Sequence, residues 1–219
     1  MKIQWLGHSC FRLVESTGTA IVTDPYDSAI VGYEMPKVQA DAITLSHQHD
    51  DHNAVRNVQP ACGTVLDKAG SWDVKGVGIA SVVSHHDAEQ GARRGVNHIF
   101  KFRMDGVDLC HLGDIGEECT TELGESIGTV NVLMIPIGGN YTIDAQQAKE
   151  YVDLLMPDIV IPMHYKTPSC DMDIDKRNAF LQLFDDEQIV EIDGCEVEFD
   201  RSHFDGDCTK VIVFETNCF

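Results

Sequence analysis

The sequence predicts an α/β protein in which two β-sheets pack face to face with helices on the outside. Two observations predict this: short β-rich runs in the first half of the chain, and a strand, helix, strand order in the second half. The chain has 219 residues, of which 43% are hydrophobic. That is enough for one well-filled core and short for two domains of average size, so we expect one domain over residues 1–219.

The first half of the chain consists of apolar or alternating runs that are typical of strands. They are KIQWL at 2–6, CFRLV at 10–14, AIVTD at 20–24, AITLS at 42–46, TVLD at 64–67, GIASVV at 78–83, HIFKFR at 98–103 and VDLCHL at 107–112. The first of these predict an antiparallel meander. Asp105-Gly106 joins the last two runs and is typical of a hairpin turn.

In the second half the pattern changes to strands that alternate with helices. VLMIPI at 132–137 and DIVIPM at 158–163 enclose a predicted helix over 144–155, with Asp144 as its N-cap. A further helix is predicted over 175–184. The closing strands are predicted at IVEI, CEVEF and VIVFE.

The charge of the chain restricts its partners. Lys plus Arg number 16 and Asp plus Glu number 36, which gives a net charge of −20. Such a field repels long nucleic acids and anionic membranes, so we expect a small-molecule substrate; a homo-oligomer stays open. No run resembles a signal peptide or a membrane span, and no Cys pair has CxxC spacing. We therefore expect a cytoplasmic protein with reduced thiols.

The strongest motif is SHQHDDHN at 46–53, directly after the apolar run AITLS. Residues two apart in an extended chain point the same way, so His47 and His49 can converge on one metal ion. Asp51 and His52 fall where the chain should turn into a helix and can face a second ion. A solvated polar turn would explain three imidazoles and a carboxylate at a strand end less well.

His47-x-His49-x-Asp51-His52 resembles the signature of the metallo-β-lactamase superfamily. Within that superfamily the chain is similar to the metal-dependent hydrolases grouped with L-ascorbate-6-phosphate lactonase. The supporting segments are LGHSCF at 6–11, TDPY at 23–26, HHDAEQGARRGVN at 85–97, HLGD at 111–114, IPIGGNYT at 135–142 and IPMHYKT at 161–167. The resemblance implies a four-layer αββα sandwich of two mixed sheets and a hydrolase with two divalent metal ions, zinc or manganese, with iron as an alternative.

The resemblance also implies which residues hold the ions. The first ion would be bound by His47, His49 and one histidine of the 85–86 pair, and the second by Asp51, His52 and His164, with Asp114 bridging both. We favour His86, because the family segment has a histidine followed by Asp, here His86-Asp87; His85 stays the alternative. Without the resemblance, Asp114 reads equally well as a turn or cap carboxylate, and His164 as a core histidine.

Other residues would support these ligands. Asp24 follows a strand at a position where the family places an acidic residue behind the ligands, and it would orient a ligand histidine. His8 and His111 would either do the same or simply be polar residues at strand ends.

Two metal ions about 3.5–4 Å apart would share a water molecule and lower its pKa. Asp51 and Asp114 are the expected catalytic carboxylates, and Asp51 would orient the water or accept its proton. The substrate would be a small, anionic ester, lactone or phosphodiester. Candidates for binding its anion are Arg93, Arg94, Asn97 and Lys166, although each charged one could equally be a solvated surface cation.

Other functions stay open on the sequence. They are an iron-dependent redox enzyme on the same scaffold, a phosphodiesterase acting on a small nucleotide, and a binding protein without catalysis.

Overall fold

The computed structural model describes residues 1–59, 64–204 and 208–216. The strands in chain order are β1 (Lys2–Gly7), β2 (Cys10–Val14), β3 (Ala20–Thr23), β4 (Ala42–Thr44), β5 (Val65–Leu66), β6 (Gly70–Val74), β7 (Val77–His85), β8 (Val96–Met104), β9 (Val107–His111), β10 (Val132–Pro136), β11 (Ile159–Met163), β12 (Ile189–Ile192), β13 (Glu196–Glu198) and β14 (Lys210–Phe214). The α-helices are α1 (Ser28–Val31), α2 (Thr121–Ile127), α3 (Ala145–Leu155) and α4 (Asn178–Leu181), and short 3-10 turns lie at Val55–Asn57, Asp186–Gln188 and Arg201–His203.

The strands form two mixed sheets. The six-stranded sheet has the order β13-β1-β2-β3-β4-β5, and the eight-stranded sheet has the order β12-β14-β11-β10-β9-β8-β7-β6. β1, β2 and β3 pair antiparallel, which confirms the predicted meander, whereas β3, β4 and β5 pair parallel. The β8–β9 hairpin is also confirmed: Asp105 and Gly106 have φ of 51° and 79°, the left-handed pair that such tight turns favour.

The main hydrophobic core draws on both sheets. It joins Trp5 and Phe11 of the first sheet to Phe100, Phe102 and the apolar residues of β9–β11. Successive side chains of β3 point to opposite faces of the first sheet. Ile21 lies in the main core, whereas Val22 lies in a separate cluster on the other face. Each face of that sheet therefore has its own apolar cover.

The helices cover the outer faces. Val31 of α1 belongs to the separate cluster on the first sheet, together with Tyr26 and Tyr33. On the other side, Ala148, Tyr151 and Val152 of α3 are buried in the main core. Helix α3 begins at its predicted cap: Asp144 accepts from Gln147 N, and the Gln147 side chain accepts from Asp144 N. The predicted sandwich of two mixed sheets with helices outside is confirmed.

Within each sheet, the strands that precede the clustered histidines run in the same direction. In the first sheet β1, β3 and β4 run the same way, because β2 is antiparallel to both β1 and β3, and β4 is parallel to β3. In the second sheet β7, β9 and β11 share a direction for the same reason. In α/β sheets ligands bind beyond the carboxyl ends of strands, which is where His8, His47, His49, His52, His86 and His164 lie.

Some elements differ from the prediction. The second helix is limited to Asn178–Leu181, because the backbone of Asp175 bonds to Gly138 and Lys166 and so cannot begin a helix. Helices α1 and α2 and strand β6 were not predicted; all are short, and α2 and β6 include glycine, which weakens a propensity signal.

The sequence also predicted reduced thiols and no membrane-spanning segment. Free cysteines are Cys10, Cys110, Cys119, Cys170 and Cys208. Cys195 is disulfide-bonded, so the expectation of reduced thiols is wrong for it. Glu215 N donates to Gly194 O, a contact between distant residues that the spacing of the cysteines does not predict. Within the described ranges, no helix has the length and apolarity needed to cross a bilayer.

Candidate metal centre

The SHQHDDHN segment turns sharply after β4 and aims its side chains at the shared sheet edge. His52 N donates to His49 O at 2.9 Å, which closes a tight turn. The chain then makes a 3-10 turn over Val55–Asn57 instead of the expected α-helix. His47 and His52 are buried, whereas His49 is exposed, so one side of the cluster faces solvent.

Asp24 holds this segment in place from beneath. Its carboxylate accepts from Ser46 N at 2.7 Å, from Ser46 Oγ at 2.6 Å and from His52 Nδ1 at 2.9 Å. Because the Ser46 hydroxyl proton goes to Asp24, its oxygen accepts from His47 Nδ1 at 2.9 Å. Both imidazoles are thereby fixed as Nδ1–H tautomers, with Nε2 available to a metal. Asp24 thus lies where the sequence predicted an orienting carboxylate. The contribution of Ser46, the first residue of the SHQHDDHN segment, was not predicted.

His47, His49 and His86 form the first group of potential ligands. One ligand atom of each lies within 4.8 Å of those of the other two. Their ring centroids are 4.5 Å apart for His47 and His49 and 4.6 Å apart for His47 and His86. Three convergent imidazoles suit zinc.

The structure separates the neighbouring histidines that the sequence left open. His86 is 2% exposed and directs Nε2 to within 3.4 Å of Asp114 Oδ2. The His85 ring points away and lies 2.7 Å from Glu117 Oε2 through Nδ1. His86 is therefore the member of the pair in the cluster.

A second group consists of Asp51, His52 and His164, joined by His8. Asp51 Oδ2 lies 3.4 Å from Nε2 of His52 and 3.4 Å from Nε2 of His8. The His8 and His164 rings are 4.2 Å apart. Carboxylate and imidazole together suit zinc, iron or manganese.

Asp114 lies between the two groups. Its Oδ2 is 3.2 Å from Nε2 of both His52 and His164. The same oxygen is 3.4 Å from Nε2 of His86 and 3.9 Å from Nε2 of His47. One carboxylate thus contacts imidazoles from both groups, which is the placement that a bridging ligand requires.

The donor set fits cations. Several buried nitrogens and an oxygen of the cluster have no hydrogen-bond partner within the described part of the chain, namely His8 Nδ1 and Nε2, His47 Nε2, His52 Nε2, His86 Nδ1, His164 Nδ1 and Nε2, and Asp114 Oδ1. Asp24, Asp51 and Asp114 form ion pairs only with histidines among the described residues. Buried carboxylates without Lys or Arg require other cations.

The pKa values of the cluster also indicate that its buried carboxylates favour nearby positive charge. Burial would raise the pKa of Asp114, yet His164 and His52 hold that pKa well below its usual value. Burial would lower the pKa of His52, yet Asp114 and Asp51 raise it well above the usual value. Burial and the neighbouring His52 lower the pKa of His47 to about 3, although Asp114 acts in the opposite direction. Positive charge is therefore favoured on His52, between the carboxylates, and disfavoured on His47.

Asn97 is not a substrate ligand, contrary to the prediction. It is fully buried at 0% exposure, and its amide is fully occupied. Nδ2 donates to Ser84 Oγ at 2.7 Å and to Leu112 O at 2.8 Å, while Oδ1 accepts from Asp114 N at 2.9 Å. Asn97 instead fixes the backbone of Asp114. Its place inside β8 gave no sign of this in the sequence.

The loop after His86 carries the predicted anion-binding arginines. Asp87 caps this loop, since its carboxylate accepts from the backbone N–H groups of Glu89, Gly91, Arg93 and Arg94. Arg94 reaches across to the loop after β10 and donates to Asn140 O and Tyr141 O, each at 2.9 Å. Arg93 is 72% exposed and pairs with Glu89 at 2.6 Å.

Two other predicted residues lie outside the cluster. Lys166 Nζ donates to Met172 O, and the side chain lines a cavity with Thr167, Pro168 and Lys176. His111 is buried, with Nε2 2.8 Å from Ser9 O and with Nδ1 accepting from Gly113 N at 3.2 Å. It supports the backbone near the centre and contacts no ligand directly in these bonds.

Strained backbone and close-packed glycines shape the centre. His8, Asp24 and His164 have φ of 52°, 40° and 50°, a region that non-glycine residues rarely adopt. A Cβ on Gly138 would lie 2.1 Å from His164 O, and one on Gly113 would lie 2.4 Å from Asn97 Oδ1. Only glycine allows these strand ends to approach so closely. Neither role was predicted from the sequence.

Fold and site together define a metallo-hydrolase of the αββα type. The model of the beta-lactamase superfamily domain matches residues 2–164. A metal-dependent hydrolase from Koribacter versatilis is 32% identical, and the match covers 76% of this chain and 85% of that protein.

Solved structures of other proteins also resemble this fold. A metallo-β-lactamase superfamily protein from Thermotoga maritima has 38% identity and a TM-score of 0.77, with 98% of each chain covered. A metallo hydrolase from the archaeon Ignicoccus hospitalis has 25% identity and a TM-score of 0.59, with 83% of this chain and 89% of that chain covered. The chain belongs to the metallo-β-lactamase superfamily and is a metal-dependent hydrolase.

The orienting role of Asp24 can be tested by substitution. Asp24→Asn keeps the size of the side chain but weakens the bonds that fix Ser46 and His52, so metal affinity should fall by about 10- to 100-fold. Competition with a chelating dye measures the affinity. Asp41→Asn is the matched control, because Asp41 bonds Ala20 N and Lys75 instead of the cluster; equal affinities for both variants would contradict the role of Asp24.

Proposed function

We propose that this chain binds two divalent metal ions, zinc or manganese, and uses them to hydrolyse a small anionic ester, lactone or phosphodiester. One observation carries the proposal: Asp114 Oδ2 contacts imidazoles of both ligand groups. A carboxylate placed in this way would belong to two ion positions at once, as in two-metal hydrolases.

The ligands divide between the two positions. His47, His49 and His86 would hold the first ion, and Asp51, His52 and His164 the second. When bound, such ions acidify a water molecule and polarise the bond that it attacks. The all-imidazole first group favours zinc, which the Thermotoga maritima relative is described as using.

The residues around the ions supply orientation and proton transfer. Asp51 lies at the solvent side of the second group with 13% of its side chain exposed, so it would orient the water or accept its proton. Asp24 and Ser46 keep the tautomers of His47 and His52. Asn97 fixes Asp114 through its backbone. Each role prepares the site before substrate binds.

An anionic substrate needs local cations, because the net charge of −20 opposes its approach. Arg94 is the best-placed candidate, since it is held against the loop that follows β10 by Asn140 O and Tyr141 O. Its guanidinium carbon lies 5.2 Å from the centre of the Tyr141 ring. A substrate anion would bind the guanidinium edge that these carbonyls leave available.

Metal dependence is the direct test of the proposal. Elemental analysis of the purified protein should find two zinc or manganese ions per chain. A panel of lactones, carboxyl esters and phosphodiesters should then show hydrolysis that a chelator abolishes and that the same metal restores. Retention of hydrolysis after complete metal removal would contradict the proposal. Iron with a visible absorption band would favour the redox alternative, and selective cleavage of a cyclic nucleotide would favour a small-nucleotide phosphodiesterase.

Arg94→Ala tests the anion site. KM for an anionic substrate should rise by about tenfold or more, because a charged hydrogen bond contributes about 1.5–3 kcal/mol, while metal content stays unchanged. Arg93→Ala is the control, since Arg93 is solvated and paired with Glu89. Steady-state kinetics on anionic and neutral analogues of one substrate measure the effect. Equal loss on both analogues would show that Arg94 only supports the loop.

A further inference from the structure

The second ligand group contains one histidine more than the superfamily signature accounts for. His8, at the turn after β1, lies with Asp51, His52 and His164, and one ligand atom from each of the four lies within 4.8 Å of all the others. We propose that His8 is a direct ligand of the second metal ion, so that this ion is held by three histidines and Asp51 in addition to the bridging Asp114. This inference rests on the proposed metal binding.

The recorded ion-pair partner of the His8 ring is Asp51, itself a proposed ligand of the same ion. The side chain is 1% exposed. Neither Nδ1 nor Nε2 has a hydrogen-bond partner within the described ranges, and Nε2 lies 3.4 Å from Asp51 Oδ2. Two unpaired nitrogens on a buried ring are costly unless a ligand occupies one of them.

The fold holds His8 in this position against a conformational preference. Its φ of 52° lies in the left-handed region. The strained turn is fixed by backbone bonds, since His8 N donates to Tyr33 Oη at 2.8 Å and His8 O accepts from Trp5 Nε1 at 3.0 Å and from His164 N at 3.4 Å. Such strain persists where the surroundings determine it, and it clusters at functional sites.

His111 shows how a structural histidine differs. It is also buried at 1% exposure. Its two ring nitrogens are both satisfied by backbone groups, Ser9 O and Gly113 N. The contrast indicates that burial alone does not leave an imidazole unpaired in this protein, so the unpaired ring of His8 requires a specific explanation.

A fourth side chain would make the two metal positions unequal. The second group is buried, with His8, His52 and His164 each at 1% exposure or less. The first group has three histidines, so with the shared Asp114 its ion would have one ligand fewer than the second ion, and His49 is exposed. Metal sites with a full set of protein ligands are closed, whereas sites that lack one remain open to water or substrate. Substrate access is therefore expected at the first ion.

Nitrogen NMR of the full chain tests the ligand directly. In protein labelled with ¹⁵N-histidine and titrated with zinc, one ring nitrogen of His8, assigned through bonds, should move to the shift of a metal-bound nitrogen together with those of His52 and His164. An unmoved His8 signal, while the other two move, would overturn the inference and leave the proposed function intact. If no histidine signal moves, the proposed metal binding fails as well.

A variant measures the same contact by affinity. His8→Asn suits the left-handed backbone, because Asn tolerates that conformation better than most residues. The substitution should lower the affinity for the second zinc ion by about 10-fold or more and leave the affinity for the first unchanged. His85→Asn is the matched control, since the His85 ring binds Glu117 outside the cluster. The inference would be overturned if the His8→Asn variant bound both zinc ions with the same affinities as the unmodified protein.

Discussion

The centre depends on the burial of three carboxylates whose described ion-pair partners are all imidazoles. Asp24, Asp51 and Asp114 remain negative beside His52, which lies in contact with each of them. Removing an ion from water costs several kcal/mol, and histidines alone cannot offset three such charges while remaining neutral ligands. Divalent cations satisfy both conditions, because they neutralise the carboxylates and occupy the unpaired imidazole nitrogens. The rest of the site follows from this requirement.

The sheet topology brings the charged groups together, and strained backbone conformations orient their side chains toward the centre. The ligands come from loops after β1, β4, β7, β9 and β11, which end at one edge of the sandwich. His8, Asp24 and His164 each turn inward through a left-handed backbone. Gly138 lets one such turn approach its neighbour. A rigid two-sheet scaffold therefore carries the strain that a single loop could not hold.

Much of this arrangement could be predicted from the sequence, because strand periodicity and the dense motif at 46–53 are local signals. The grouping of distant ligands such as His86 and His164 needed the family resemblance, since the spacing between them carries no geometric information. The bonds of Asn97 could not be predicted, and for His8 the sequence offered only a supporting position or a polar strand end. Asn97 precedes the strand predicted at 98–103 and reads as a loop residue, and only the tertiary structure shows that it faces Asp114.

Anomalous diffraction from crystals of the metal-loaded protein tests the central claim most directly. Data collected at the absorption edge of the bound metal should give two peaks about 3.5–4 Å apart, one on each side of the Asp114 carboxylate. A single peak, or peaks away from Asp114, would contradict the account of a shared carboxylate between two ions.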